Sequence, residues 1–259
     1  VTILEIDNLQ KTYDGKTPVL RGINLRIERG EFVGVIGLSG AGKSTLLRCI
    51  NRLIEPSAGA IRVPASLIAV EEDGALVNVV RFNSADLRLL RRKVGMIFQQ
   101  FAIVKRLSVI DNVLAGALGY QPTLRSTLRI FSQAERRRAL GNLQRVGLLA
   151  HAYKRADELS GGEQQRVAIA RTLMQQPVMI LADEPVASLD PKLSRVVLDI
   201  LRRVCREDGI TAVVSLHTLE LTREYADRVV GLKEGQVAFD GPVRELSDAL
   251  VESVYQRKL

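Results

Sequence analysis

A chain of 259 residues that is 46% hydrophobic is long enough for one large α/β domain or a domain with a subdomain, and rich enough to fill a core, which excludes a disordered protein. Two cysteines, Cys49 and Cys205, in helical contexts and without metal-ligand spacing, exclude a disulfide framework and fit reduced, buried thiols of a cytosolic protein. A net charge of +8 favours anionic company, whether nucleic acid, acidic lipid headgroups or nucleotide phosphates; no tryptophan and 4% aromatics leave few stacking platforms for single-stranded nucleic acid.

The opening "VTILEIDNLQKTYDG" carries acids where a secretory signal is basic, and no run of about eighteen apolar residues occurs, so a soluble chain is expected. "ILEIDNL" and "INLRIERGE" read as antiparallel strands about the turn "YDGKTP", with Ile23, Leu25 and Ile27 alternating with polar neighbours. "EFVGVIG" is an apolar strand that runs into a glycine loop and a helix whose Leu46, Leu47, Ile50, Leu53 and Ile54 share a face. Between Gly59 and Phe82, "AIRV" and "LVNVV" around the acidic turn "EEDG" predict a small antiparallel addition. From Leu107 to Glu158 the chain reads as mostly helical, with Ser132 and Glu135 at capping-box spacing. "VMILAD" and "ITAVVSLH" are nearly continuous in apolar residues, as strands buried on both faces of a parallel sheet are. "RVVGLKEGQVAFDG" is a hairpin turning at "KEGQ", and "ELSDALVESVYQ" a terminal helix.

The glycine loop carries the first chemistry. "GLSGAGKS" fits G-x-x-x-x-G-K-[ST] between a strand and a helix, the context a phosphate-binding P-loop requires. Gly37, Leu38, Ser39, Gly40, Ala41, Gly42, Lys43, Ser44 and the following Thr45 are therefore the candidate phosphate cradle. Its amides face the phosphates, Lys43 brings a point charge to the β and γ groups, and the Ser44 hydroxyl is offered to Mg²⁺. "VMILADEP" places Asp183 and Glu184 at the carboxyl end of a strand, where Asp183 would hold the metal and Glu184 would take a proton from the attacking water.

A second motif poses a puzzle. In "LSGGEQQR", Ser160 and Glu163 have the spacing of a capping box, yet Gly161 and Gly162 occupy the first turn, each costing a helix about 0.8–1 kcal/mol relative to alanine. Close approach of an anion to the exposed amides would explain both glycines.

In order along the chain, "GLSGAGKST", Gln99 in "MIFQQF", "LSGGEQQR", "ILADEP", "SLD" (188–190) and His217 in "SLHTLE" resemble the motif set of ABC-type ATPases, over nearly the whole chain. The resemblance implies an α/β fold: a P-loop ATPase core with a mainly parallel sheet, an N-terminal antiparallel β subdomain and a helical subdomain carrying the LSGG motif. Residues 1–100 and 163–245 would form the core with its β subdomain, 101–162 the helical subdomain and 246–259 a C-terminal helix. It implies ATP as ligand, and a second copy of the chain paired head to tail so that Ser160, Gly161 and Gly162 grip the γ-phosphate held by the partner. His217 would be the switch histidine, and Gln99 would contact Mg²⁺ and water from a loop adjoining a membrane partner. Asp190 would join the two sites, and Tyr13 would stack on adenine.

Further partners implied are two integral membrane permease subunits and an extracytoplasmic solute-binding protein, with the chain peripheral at the cytoplasmic face of the inner membrane and no nucleic acid bound. A monomeric P-loop kinase would have no use for "LSGGEQQR"; a soluble ABC machine acting on DNA or ribosomes is the alternative reading, against which stand a single set of motifs, no long heptad insertion and no zinc-spaced cysteines. The stretch "FAIVKRLSVIDNVLAGALGYQPTLRSTLRIF" (101–131) with "ADEPVASLDP" resembles the ATP-binding subunits of bacterial phosphonate importers. Phosphite, phosphate or a polar amino acid are the alternative cargoes. Glu163, where that group often has glutamine, is a departure.

Overall fold

The computed structural model describes residues 1–68, 75–100, 102–122, 127 and 130–255. The acidic turn at 71–74, Phe101, most of 123–129 within the basic stretch and the last four positions of the terminal helix lie outside the described residues.

Strand β1 (Thr2–Thr12) pairs antiparallel with β2 (Pro18–Glu28), Ile6 opposite Leu25 and Leu9 opposite Ile23, so the alternating apolar residues form one buried face. β3 (Phe32–Ile36) is buried at all five positions and ends at the glycine loop. Gly42, at φ +102°, stands as the N-cap of α1 (Lys43–Ile50), a backbone setting that glycine adopts without penalty. β4 (Ala58–Pro64) and β5 (Leu76–Asn78) continue on the far side of β1, giving the order β2-β1-β4-β5. The antiparallel addition expected after Gly59 thus completes the N-terminal sheet.

α2 (Ser84–Lys93), opened by an Asn83 and Asp86 capping box, leads to β6 (Val94–Ile97). α3 (Val109–Leu114), α4 (Gln133–Arg145) and α5 (Gly161–Leu173) pack on one another. Between them the chain is less regular than its sequence suggests: Ala115–Tyr120, Leu149–His151 and Ala156–Glu158 are short 3₁₀ turns. At the first of these a β-carbon on Gly116 would stand 2.0 Å from the Arg171 carbonyl oxygen, so this turn meets α5 backbone to backbone.

β7 (Met179–Ala182), α6 (Pro191–Asp208), β8 (Thr211–Ser215), α7 (Leu219–Tyr225), the hairpin β9 (Arg228–Lys233) and β10 (Gln236–Pro242), and α8 (Asp248–Tyr255) complete the fold. α6 is amphipathic, burying Val197, Leu198, Leu201, Val204 and Cys205 at helical spacing, and stops at Gly209 with φ +64°. The second sheet has the order β10-β9-β3-β8-β7-β6; its neighbours from β9 to β6 run parallel, and β10 is an antiparallel edge.

The sheet is buried on both faces, as its apolar runs imply. Ile180, Ala212 and Val214 join the core under the helices, while Leu181, Val213, Val33 and Val35 join the core shared with the N-terminal sheet and α1. Register pairs Val35 with Ser215 and Val214 with Ala182, so β3, β8 and β7 deliver their carboxyl ends to one edge. The glycine loop, Asp183 and His217 emerge there together. Both cysteines are free and buried, and burial pushes the Cys49 thiol up to about 11 and the Cys205 thiol to about 12, leaving them unreactive. Among the described residues no helix is long and apolar enough to cross a membrane.

Candidate functional site: a nucleotide half-site

Lys43, 4% exposed, folds back on its own loop: Nζ donates to the carbonyls of Gly37 (2.8 Å) and Leu38 (3.1 Å). Burial pulls its pKa below the ordinary lysine value, and the nearby Glu184 and Asp183 carboxylates pull it back up. Ser39, Gly40, Gly42, Lys43, Ser44, Thr45 and Glu184 line a small cavity of about 170 Å³ at the mouth of the loop.

The first turn of α1 brings Ser44 over the end of β7, where its hydroxyl donates to Asp183 Oδ1 at 2.7 Å. Asp183 is 1% exposed, and its other oxygen takes a hydrogen bond from Arg48 Nη2 at 3.0 Å. A hydroxyl beside a buried carboxylate is a hard oxygen pair that suits Mg²⁺, which keeps most of its waters and takes one or two protein ligands.

Glu184 follows in a left-handed conformation, φ +50°. Its N–H donates to Ser215 Oγ at 2.7 Å, and its carboxylate Oε1 lies 2.5 Å from His217 Nε2. Glu184 lines the loop cavity and also a cavity of about 290 Å³ walled by Ser215, His217, Ser194 and Leu221. It therefore connects the phosphate cradle to the histidine.

Tyr13, at the end of β1, is 60% exposed with its hydroxyl 3.2 Å from Thr45 Oγ1 and Lys11 Nζ 5.1 Å from its ring centroid. An exposed aromatic face is thus held beside the loop. Gln99 is also exposed, two residues beyond Ile97, whose carbonyl accepts the Asp183 N–H, and it lines a further cavity with Gln100, Lys105, Gln164 and Ser188. Asp190 caps α6, its Oδ1 accepting from the N–H groups of Lys192 (3.0 Å) and Leu193 (2.9 Å).

The LSGG segment lines neither the loop cavity nor the one behind Glu184. The capping box is formed: Ser160 donates its N–H (2.9 Å) and its hydroxyl (2.7 Å) to Glu163 Oε2 and accepts from the Glu163 N–H. Ser160 holds the Glu163 carboxyl below the usual range against the opposing effect of burial, and His151 and Arg166 add to the lowering. Gly162 turns its missing side chain toward Leu193 of α6; a β-carbon there would lie 3.4 Å from Leu193 Cδ1, an ordinary contact that alanine could also make. Two contacts escaped the sequence reading. Arg48 follows Ser44 by one helical turn, a spacing that could have revealed it. Ser215 is hidden at the end of an apolar strand.

Residues 20–187 match the family described as ABC transporter. The chain is 49% identical to the "Phosphonates import ATP-binding protein PhnC 2" of Oceanobacillus iheyensis, covering 100% of this chain and 99% of that one. It is 50% identical to the corresponding protein of Shouchella clausii, over 99% and 92%. Among solved structures it superposes on a dimeric ATP-binding cassette in a post-hydrolysis state bound to ADP and Pi, with a TM-score of 0.78 and 32% identity over 94% of this chain and 100% of that one. With its P-loop, the carboxylates beside it and the LSGG helix in place, the chain belongs to the ABC transporter family of ATP-binding cassettes.

Proposed function

We propose that this ATPase energises a bacterial importer of phosphonate or a related phosphorus oxyanion. It would act as a head-to-tail pair of identical chains beneath two integral membrane permease subunits, peripheral to the cytoplasmic face of the cell membrane, with an extracytoplasmic solute-binding protein delivering cargo. The observation that carries the reading is the incompleteness of the site: Lys43, Ser44, Asp183, Glu184 and His217 converge on one edge, while Ser160 and the capped, glycine-bearing start of α5 line no cavity with them. The cargo is supported by relatives of nearly equal length that carry the name of phosphonate import proteins.

In this reading Lys43 exchanges the carbonyls of Gly37 and Leu38 for the β and γ phosphates of ATP. Ser44 and Asp183 hold Mg²⁺, which when bound neutralises charge on those phosphates. Glu184 takes a proton from water, and His217 holds the Glu184 carboxylate and the γ-phosphate in line. Tyr13 offers its free face to adenine. Ser160 and the first-turn amides of α5 complete the site of the opposite chain, so ATP favours the closed pair and its hydrolysis lets the pair reopen.

The test is co-purification of tagged Glu184→Gln protein with ATP from mildly solubilised native cells, followed by uptake assays with the recovered complex. Polytopic membrane proteins should be recovered, and the complex should take up labelled methylphosphonate in preference to glutamate. Recovery of ribosomes or nucleic acid in their place would remove the importer; uptake of a different solute would remove the cargo alone.

A further inference from the structure

The end of β8 grips Glu184 at two points. His217 holds its carboxylate, and Ser215, two residues earlier and fully buried, accepts its backbone N–H at 2.7 Å. The Ser215 hydroxyl lies 3.4 Å from both the Ala182 carbonyl and Asp183 Oδ1, so one oxygen ties together three consecutive residues at the end of β7. On the other side the Asp183 N–H is held by the Ile97 carbonyl of β6 at 2.9 Å. The peptides on either side of Asp183 are thereby held by the two neighbouring strands, the first by β6 and the second by β8.

These bonds matter because of the conformation they hold. A φ of +50° is unfavourable for a residue with a β-carbon, and it persists where the surroundings over-determine it, most often at reacting sites. Removing the Ser215 hydroxyl, as alanine does, leaves the part-buried Glu184 N–H without its partner. The residue then gains by relaxing toward negative φ, which swings its carboxylate off His217 and away from the loop cavity.

We propose that Ser215 is a positioning residue of the hydrolytic centre: its hydroxyl locks Glu184 in the left-handed conformation that points its carboxylate at both the phosphate cradle and His217. The proposal rests on Glu184 as the proton acceptor. Ser215 does not itself line the loop cavity, and Asp183 Oδ1, 3.4 Å from its hydroxyl, keeps its shorter 2.7 Å bond from Ser44, so the loss of the Ser215 hydroxyl should fall on Glu184 and largely spare nucleotide binding.

The experiment compares purified full-length Ser215→Ala, Ser215→Thr, Glu184→Gln and the double variant Glu184→Gln/Ser215→Ala. Ser215→Ala should lower kcat about 10- to 100-fold, the scale of a misplaced reacting group, with the Kd for Mg-ATP within about twofold of the parent. Thr, which keeps the hydroxyl, should recover most of the rate. In the Glu184→Gln background the alanine change should cost nothing further, because the residue it positions is already disabled. An alanine variant with wild-type kcat, an equal loss in both backgrounds, or a folded Thr variant as slow as Ala would each overturn the proposal. Wild-type turnover by Glu184→Gln alone would remove Glu184 from the chemistry and the proposal with it, a failure recognisable without any Ser215 variant.

Discussion

Gly116→Ala should disconnect the two halves of the nucleotide machinery without touching either. The new β-carbon would lie 2.0 Å from the Arg171 carbonyl oxygen and 2.9 Å from Met174 Cβ, both on or just after α5, and the first obstacle is backbone that cannot rotate away. The turn after α3 and α5 must separate by about an ångström or more, an overpacking cost of about 1–3 kcal/mol. For a chain of this size that is a fall in melting temperature of about 2–4 °C per kcal/mol. Gly141 is the control: it is exposed in the middle of α4 with nothing within 4 Å of the added atom, so Gly141→Ala should stabilise by about 0.5–1 kcal/mol. Because α5 carries Ser160 at its start, Gly116→Ala should also lower ATP hydrolysis more than it weakens Mg-ATP binding at the loop. Thermal unfolding by circular dichroism, nucleotide titration and phosphate release read the three quantities. A Gly116→Ala melting temperature at or above that of the parent would refute the close backbone approach on which the reasoning depends.

Ser160→Arg should abolish hydrolysis while the isolated chain binds Mg-ATP within about twofold of normal, since Ser160 lines no part of the loop cavity; lost binding would mean that the segment acts on its own chain's nucleotide. The Glu163 carboxyl, held low by Ser160, gives a pH signature. Its contribution to stability is complete above the unfolded value near 4.5 and is lost as pH falls through the lower folded value, so Glu163→Gln should flatten the acid side of the stability profile. Urea midpoints measured across that range check it, and parallel profiles for the two proteins would contradict it. Arg48→Gln leaves Asp183 Oδ2 without its 3.0 Å partner and should lower the melting temperature of the nucleotide-free protein, with Mg-ATP restoring more of it than in the parent. An equal shift with and without nucleotide would deny Asp183 a place at the metal.

The motifs that carry chemistry were legible because phosphate binding restricts the residue types it can use. Lys43, Ser44, Asp183, Glu184 and His217 were named from the sequence, and all meet at one sheet edge. That edge was legible too: "VMILAD" and "ITAVVSLH" announce doubly buried strands, and once they lie parallel to β3 their loops must emerge together. What escaped was tertiary. Nothing in "AVVS" says that the serine faces the peptide of Glu184, and nothing around Gly116 says that Arg171, fifty-five residues on, lies against it. The stretch between Leu107 and Glu158 read as more helical than it is: Ala115–Tyr120 packs on α5 and Leu149–His151 on α4 as short 3₁₀ turns, contacts that local spacing does not distinguish from those of a helix. Gln99 carried an expected role by resemblance, and its exposed place by Gln164 and Ser188 follows from a loop whose position no periodicity encodes.

The measurement closest to the central claim is the mass of Glu184→Gln protein in solution, by light scattering coupled to size exclusion, with and without Mg-ATP. A site completed by a second copy predicts one chain without nucleotide, two chains with it, and a return to one chain when Ser160→Arg is added. A Glu184→Gln protein that binds Mg-ATP and still elutes as a single chain would contradict the half-site account.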